Sequence, residues 1–273
     1  FLTFLYVIIT LILFFYYSIQ PIRRLDVKTH ESTYYSQDQL ALNINQDLFY
    51  FAFGLENSKS FSRFIDESIY NPEVNFIKQK KENGALITKN KVTLNIERCD
   101  AHKFGEEYKS QFMLGELNNS YCLKDFNVTL LGGSNYEETS FIQIKIHPCV
   151  NTTENKNHCK PQNLIDTYLT SGYFSISIKD IGLNPLNFSF PIIPTIQHLR
   201  TNVDIRICRE SLIYMGLTEI QTDVGLVEHS IKKKYYLKYR KYSQSFFFIE
   251  TQEYHKGKEV FSGKIMLEEY IQI

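Results

Sequence analysis

The chain has 273 residues, with 30 Lys plus Arg against 30 Asp plus Glu, so its formal net charge is zero. That balance lacks the basic excess with which nucleic-acid-binding domains meet phosphate, and no nucleic acid is expected as a partner. Tyr (19) and Phe (21) are abundant while Trp is absent; both favour strands, and a chain of this length can bury a core without leaning on its cysteines.

The first element is the apolar run from Phe1 to Ile19, which holds no charge, Gly or Pro. At 1.5 Å per residue it covers roughly 28 Å, close to a bilayer's hydrocarbon thickness, so residues 1–20 are predicted to form a transmembrane helix. Tyr16 and Tyr17 suit the interface, Pro21 stops the helix, and Arg23 and Arg24 come next. A cleaved signal peptide would have a shorter apolar core and a small-x-small site; neither is present, which favours a retained signal-anchor. The first residue is Phe rather than Met, so residues ahead of it are expected. Arg23 and Arg24 alone would place the C-terminal side of the helix in the cytoplasm; the cysteines and sequons argue the opposite.

Residues 21–39 read as a polar juxtamembrane stalk, and 40–273 as one β-rich ectodomain. Leu40, Leu42 and Ile44 alternate with polar residues, and LFYFAF at 48–53 is a second strand. Phe61, Phe64, Ile65 and Ile69 fall at near-helical spacing, predicting a short amphipathic helix over 58–72, with 78–83 a charged loop. Alternation then predicts strands at Val92/Leu94/Ile96, Ile142/Ile144/Ile146, Phe174/Ile176/Ile178 and Val203/Ile205/Ile207. Gly132 to Asn135 reads as a turn. Residues 161–169 read as a short helix stopped near Gly172, and 182–195, with three prolines, as an irregular crossover. From Tyr235 to the end two to four strands are expected, with a turn at 255–258. The fold class is therefore mainly β: an N-terminal transmembrane helix, then an antiparallel β-sandwich or barrel-like ectodomain with one or two short helices.

Of the five cysteines, Cys149 and Cys159 bracket a polar loop and are expected to form one disulfide, Cys99 and Cys122 a second, leaving Cys208 odd. Such staples belong to an oxidising compartment; the competing reading is five reduced thiols in a cytosolic domain. A zinc site from His147, Cys149, His158 and Cys159 lacks the tight C-x2-C spacing of structural sites, and no metal or cofactor is expected. N-x-[ST] sequons at Asn118, Asn127, Asn151 and Asn187 lie among the cysteines, so N-linked glycans are expected there. Lys232, Lys233, Lys234, Lys238, Arg240 and Lys241 interleave with Tyr235, Tyr236, Tyr239 and Tyr242. That pattern could serve a nucleic acid or an anionic membrane surface, yet it reads first as a strand with its lysines in water. Nucleophile elbows, P-loops, dinucleotide fingerprints and H-E-x-x-H are absent, and Asp100 and His102 beside Cys99 read as surface groups flanking a disulfide. No enzymatic activity is expected.

The segments YSQDQLALNINQDLFYFAFGL, NNSYCL, IQIKIHPCVN, CKPQNLIDTYL and NPLNFSFP together resemble a group of uncharacterised ciliate transmembrane proteins. The resemblance implies a second span after the ectodomain and carries no catalytic residue. Two spans around a luminal domain are also similar in arrangement to ER–Golgi cargo receptors and, more distantly, to trimeric ligand-gated channels. The expected function is a structural, adhesion or complex-assembly role at the cell surface or in a secretory-pathway membrane. Its partners are membrane lipid and either copies of itself or other membrane and surface proteins. A receptor or channel subunit, a cargo-receptor-like protein and an accessory subunit of an organellar complex are the alternatives.

Overall fold

The computed structural model describes residues 2–22, 30–36, 38–133, 136–151, 158–186, 191–223, 231–248 and 259–272. Helix α1 (Leu2–Ile22) stands at the start of the chain with its apolar side chains exposed from Phe4 to Ile19. Among the described residues no helix is long and apolar enough to cross a membrane. The expectation of a span over residues 1–20 is corrected accordingly.

Part of the stretch expected as a polar stalk, 21–39, is strand. β1 (Thr33–Tyr35) pairs with the far end of β15 (Phe261–Gln272), Thr33 opposite Gln272. The strands between fall mainly into two sheets. β15 is a central strand of the seven-stranded sheet. On one side it pairs antiparallel with β10 (Glu138–Pro148), which pairs with β5 (Tyr70–Glu82), which pairs with β6 (Ala85–Thr93). On the other side it runs parallel to β13 (Ile207–Asp223), whose outer neighbour is β14 (Ile231–Phe248). The six-stranded sheet has the order β12 (Ile192–Asn202), β11 (Tyr173–Leu183), β3 (Phe51–Glu56), β8 (Tyr121–Leu123), β7 (Ile96–Arg98), with β4 (Arg63–Phe64) on β3. A two-stranded ribbon, β2 (Ala41–Asn45) with β9 (Asn127–Leu131), lies apart and is tied to β10 through Ser140.

The two large sheets face each other as a β-sandwich. Phe174 of β11 stacks on Phe261 of β15 at a ring separation of 3.8 Å. One apolar cluster draws on Ile142, Ile144, Ile146 and Ile265 from the first sheet and Phe51, Phe53, Ile176 and Ile178 from the second. The strict alternation of β10 has this cause: its isoleucines turn inward while Lys145 and Gln143 meet Glu259 and Ser262 on the outer face. β3 departs from alternation, with all six residues buried. Its other side is covered as well, by α2 (Ala101–Phe104) and α3 (Lys109–Leu114). The rings of Tyr50, Phe104 and Phe112 join across that cover, while on the inner face Phe64, opposite Leu55, meets Tyr168 of α4 (Gln162–Ser171). Each fully buried Phe contributes about 1.5–3 kcal/mol relative to exposure, so β3 is held from both faces.

Several local expectations change. The helix expected over 58–72 is absent: Asn57 caps a turn by accepting from the Lys59 N–H, Phe61 takes φ 55°, and β4 returns to pair with β3. The charged loop at 78–83 is strand β5 continuing into a hairpin, turned by Asn83 (φ 51°) and Gly84 (φ 83°); two adjacent positive φ values suit a two-residue turn. The crossover at 182–195 belongs to the β11–β12 hairpin, with Leu183 opposite Ile192. The turn expected at 255–258 lies outside the described residues.

Candidate functional site: a cleft between two sheet edges

The alternating residues Val92, Leu94 and Ile96 do not share one strand. The chain accompanies β5 only as far as Leu94, whose N–H reaches the Val74 carbonyl, then crosses to the second sheet as β7. β5 continues beyond that point to Tyr70 with β10 on one side only. A wedge opens where β6 has left, between the start of β5 and the free edge of β7. It is a cleft of about 440 Å³, walled by Ile65, Glu67, Asn71 and Pro72 on one side and Ile96, Glu97 and Arg98 on the other, with Asn119 and Tyr121.

Register fixes what the cleft edges present. Cys99 donates to the Ser120 carbonyl and Lys124 to that of Asn95, so Cys99, Glu97 and Asn95 direct their peptide groups at β8. In an antiparallel ladder the alternate residues, Ile96 and Arg98, then turn theirs away from β8. On β5 the bond from Cys149 N–H to the Ile69 carbonyl sets the same alternation, so Pro72 turns away from β10. Proline has no N–H to leave unmet, which suits a position whose neighbouring strand has departed.

Two disulfides brace the two walls. Cys99–Cys122 ties the end of β7 to β8, with Cα atoms 5.0 Å apart. Cys149–Cys159 (Cα–Cα 5.6 Å) closes the loop that packs on the Glu67 wall. There Lys160 donates its N–H to the Ser68 carbonyl and its ammonium pairs with Asp66 at 2.5 Å. Cys208 is buried and unbridged, its thiol pushed up to about 11 chiefly by burial, then by Glu259 and Glu210.

Behind the cleft lies a buried ion network that the sequence did not signal. Ala52, Gly54 and Glu56 share one face of β3, opposite Ser177, Ser175 and Tyr173 of β11. Small residues there leave room for Glu56, fully buried, to meet the Arg63 guanidinium at 3.3 Å and that of Arg200 at 2.7 Å. Arg63 also donates to Ser120 Oγ (3.0 Å) and Ser177 Oγ (2.7 Å). Ser177 Oγ lies 2.8 Å from His198 Nδ1, a nucleophile–base spacing. That hydroxyl is fully enclosed with a guanidinium against it, so the pair belongs to the ion network. His198 is held below its ordinary pKa by burial first, then by Arg63 and Arg200.

The charges of the cleft are partly answered. Glu97 pairs with Lys103, and Arg98 donates to the Asn118 carbonyl and to Asn119 Oδ1. Glu67 carries no ion pair or hydrogen bond among the described residues, and neither does the buried hydroxyl of Tyr121. Burial raises the Tyr121 phenol to about 12, with the carboxylates of Glu67 and Asp66 adding to the shift.

The predicted modification and metal residues fall as follows. Asn118, Asn127 and Asn151 are exposed, and Asn187 lies outside the described residues. Asn151 accepts from the Cys159 N–H through Oδ1, which leaves its amide nitrogen to solvent. Cys149 and Cys159 are joined to each other, so neither is free to ligate zinc, and His147 faces Glu73 at 3.3 Å. Asp100 caps α2 by accepting from the His102 N–H, and His102 pairs with Glu106. The basic run in β14 meets its own sheet, Lys233 with Glu219 and Lys241 with Glu268.

A family profile described as "Uncharacterised 80 kDa protein N-terminal domain" matches residues 52–267. No curated protein matches the chain. Among solved structures it is similar to Erv41p in "Crystal Structure of Erv41p", at 10% identity over 89% of this chain and 99% of that one. The TM-score is 0.29, a likeness too slight to carry any argument for this chain.

Proposed function

The chain belongs to the family of the uncharacterised 80 kDa protein N-terminal domain, and from that premise we propose that it is an extra-cytoplasmic domain, in the secretory lumen or at the cell surface, that assembles with other proteins. The observation that carries this reading is the pair of disulfides on either side of one cleft. Reducing compartments do not maintain structural staples of this kind, whereas the secretory lumen and the cell exterior do. Three exposed sequons are compatible with glycans in the same compartment. The cleft, with unmet polar groups and no enclosed nucleophile directed into it, suits recognition of a partner, whether another copy or a different surface protein.

Peptide mapping of the purified chain under non-reducing conditions, with and without glycosidase, tests this. The expected result is Cys99 linked to Cys122, Cys149 linked to Cys159, and glycan mass on Asn118, Asn127 or Asn151. Bare asparagines together with five free thiols would overturn the reading.

A further inference from the structure

We propose that the cleft between β5 and β7 binds an extended peptide segment that adds a strand to the free edge of β7 and places a Lys or Arg side chain on Glu67. This rests on the assembly reading and names the chemistry of the partner. Three independent features of the cleft agree on it.

The first is the backbone. Ile96 and Arg98 turn their N–H and C=O groups away from β8, and among the described residues those groups meet no strand. An edge of this kind is the template for strand addition, where main-chain hydrogen bonds supply affinity and side-chain subsites supply selectivity. The Pro72 carbonyl on the opposite wall offers a further acceptor.

The second is the charge left over. Glu97 is ion-paired with Lys103, and the Arg98 guanidinium is held in place by the neutral Asn118 carbonyl and Asn119 Oδ1, which leaves Glu67 as the carboxylate in this cleft with no partner among the described residues. A cationic side chain seated beside Glu67 pairs with that carboxylate.

The third is Tyr121. Its ring is 6% exposed, wedged against Phe53 and Tyr70, and its hydroxyl is sealed from water without a partner. A buried hydroxyl left unmet costs about 1–3 kcal/mol, and such groups are rare in folded proteins. Tyr121 lines the cleft with Glu67, whose charge reaches its phenol; a strand seated there would have to draw the sealed hydroxyl toward its carbonyl for that donor to be met. The volume of about 440 Å³ lies in the range of ligand clefts and matches a short stretch of chain.

The test uses the full disulfide-bonded chain in mild detergent, which shields the exposed apolar side chains of α1, and a fluorescent capped peptide, Thr-Val-Lys-Val-Thr, read by anisotropy. Parallel probes carry norleucine for Lys, or N-methyl groups on alternate amides. Saturable binding of the Lys peptide is expected, weakened about tenfold or more by norleucine and by Glu67→Gln, and abolished by N-methylation. Glu67 is exposed, so its replacement leaves folding intact; Tyr121→Phe should weaken binding severalfold, and Glu107→Gln, outside the cleft, should change nothing. Absence of saturation at millimolar peptide, or equal binding by Glu67→Gln or by the N-methylated probe, would sink the proposal. A chain that maps as oxidised and glycosylated yet ignores the peptide refutes this inference alone. Free thiols and bare asparagines refute the reading it rests on.

Discussion

Arg63 is 6% exposed and surrounded by Glu56, Ser120 and Ser177. Burial lowers its pKa and Glu56 opposes that, so Glu56 helps to hold the Arg63 guanidinium charged away from water. Replacing Arg63 by Met strands Glu56 with only the half-exposed Arg200 beside it. We expect Arg63→Met to cost about 3–5 kcal/mol in urea unfolding, against less than about 1 kcal/mol for Arg200→Met, whose head group water already screens. Equal losses would show that the network does not depend on burial. In the sequence Arg63 stands among apolar residues at helical spacing, as an ordinary polar-face residue. Its role appears only when β4 pairs with β3 and sets Arg63 opposite Glu56.

Elements inherit their visibility from how many faces they bury. β10 and β11, one side in the core and one in solvent or polar contact, were legible from alternation, as was α4 from its Pro161 start and the Gly172 just past its end. β6 and β7 share an alternating pattern but serve different sheets, because nothing in a period of two records the sheet to which a strand belongs. The cleft at their junction was therefore hidden. Asn83–Gly84 was a hairpin signal in plain view, obscured by the charges around it. The cysteines were the most readable part of the site, since their spacing brackets turns. The loops they close span 23 and 10 residues, which constrains the unfolded chain by about 3–3.5 and 2.5–3 kcal/mol. Cys149→Ser/Cys159→Ser should lower the unfolding free energy by the smaller amount and loosen residues 66–69, seen as faster amide exchange there. Unchanged exchange would separate that disulfide from the cleft wall.

At the scale of the molecule these groups set how stability answers pH. His198 is held below 6.5 in the fold, so as pH falls past that value the unfolded chain binds a proton that the folded chain resists. Stability is then lost, by the sign of proton linkage. Asp66 and Glu73 are held low as well, Glu73 to about 2 by Lys91, Asn75 and His147 against burial. Their contribution is present above their unfolded values and drains away below about pH 4.5. The thermal midpoint should therefore fall in two stages on acidification, the first setting in below about pH 6.5 and absent in His198→Gln. A single acid stage in the unsubstituted chain would remove His198 from the account.

The place of β15 has a consequence in time. It is the last strand described, yet it sits between β13 and β10, parallel to the one and antiparallel to the other. During synthesis β5, β6 and β10 can pair early, and β13 with β14 later, but each group waits with an open edge until residues 261–272 leave the ribosome. Non-local strand pairing is slow, and open edges recruit other chains. The nascent sheet is thus most exposed to misassembly just before β15 arrives.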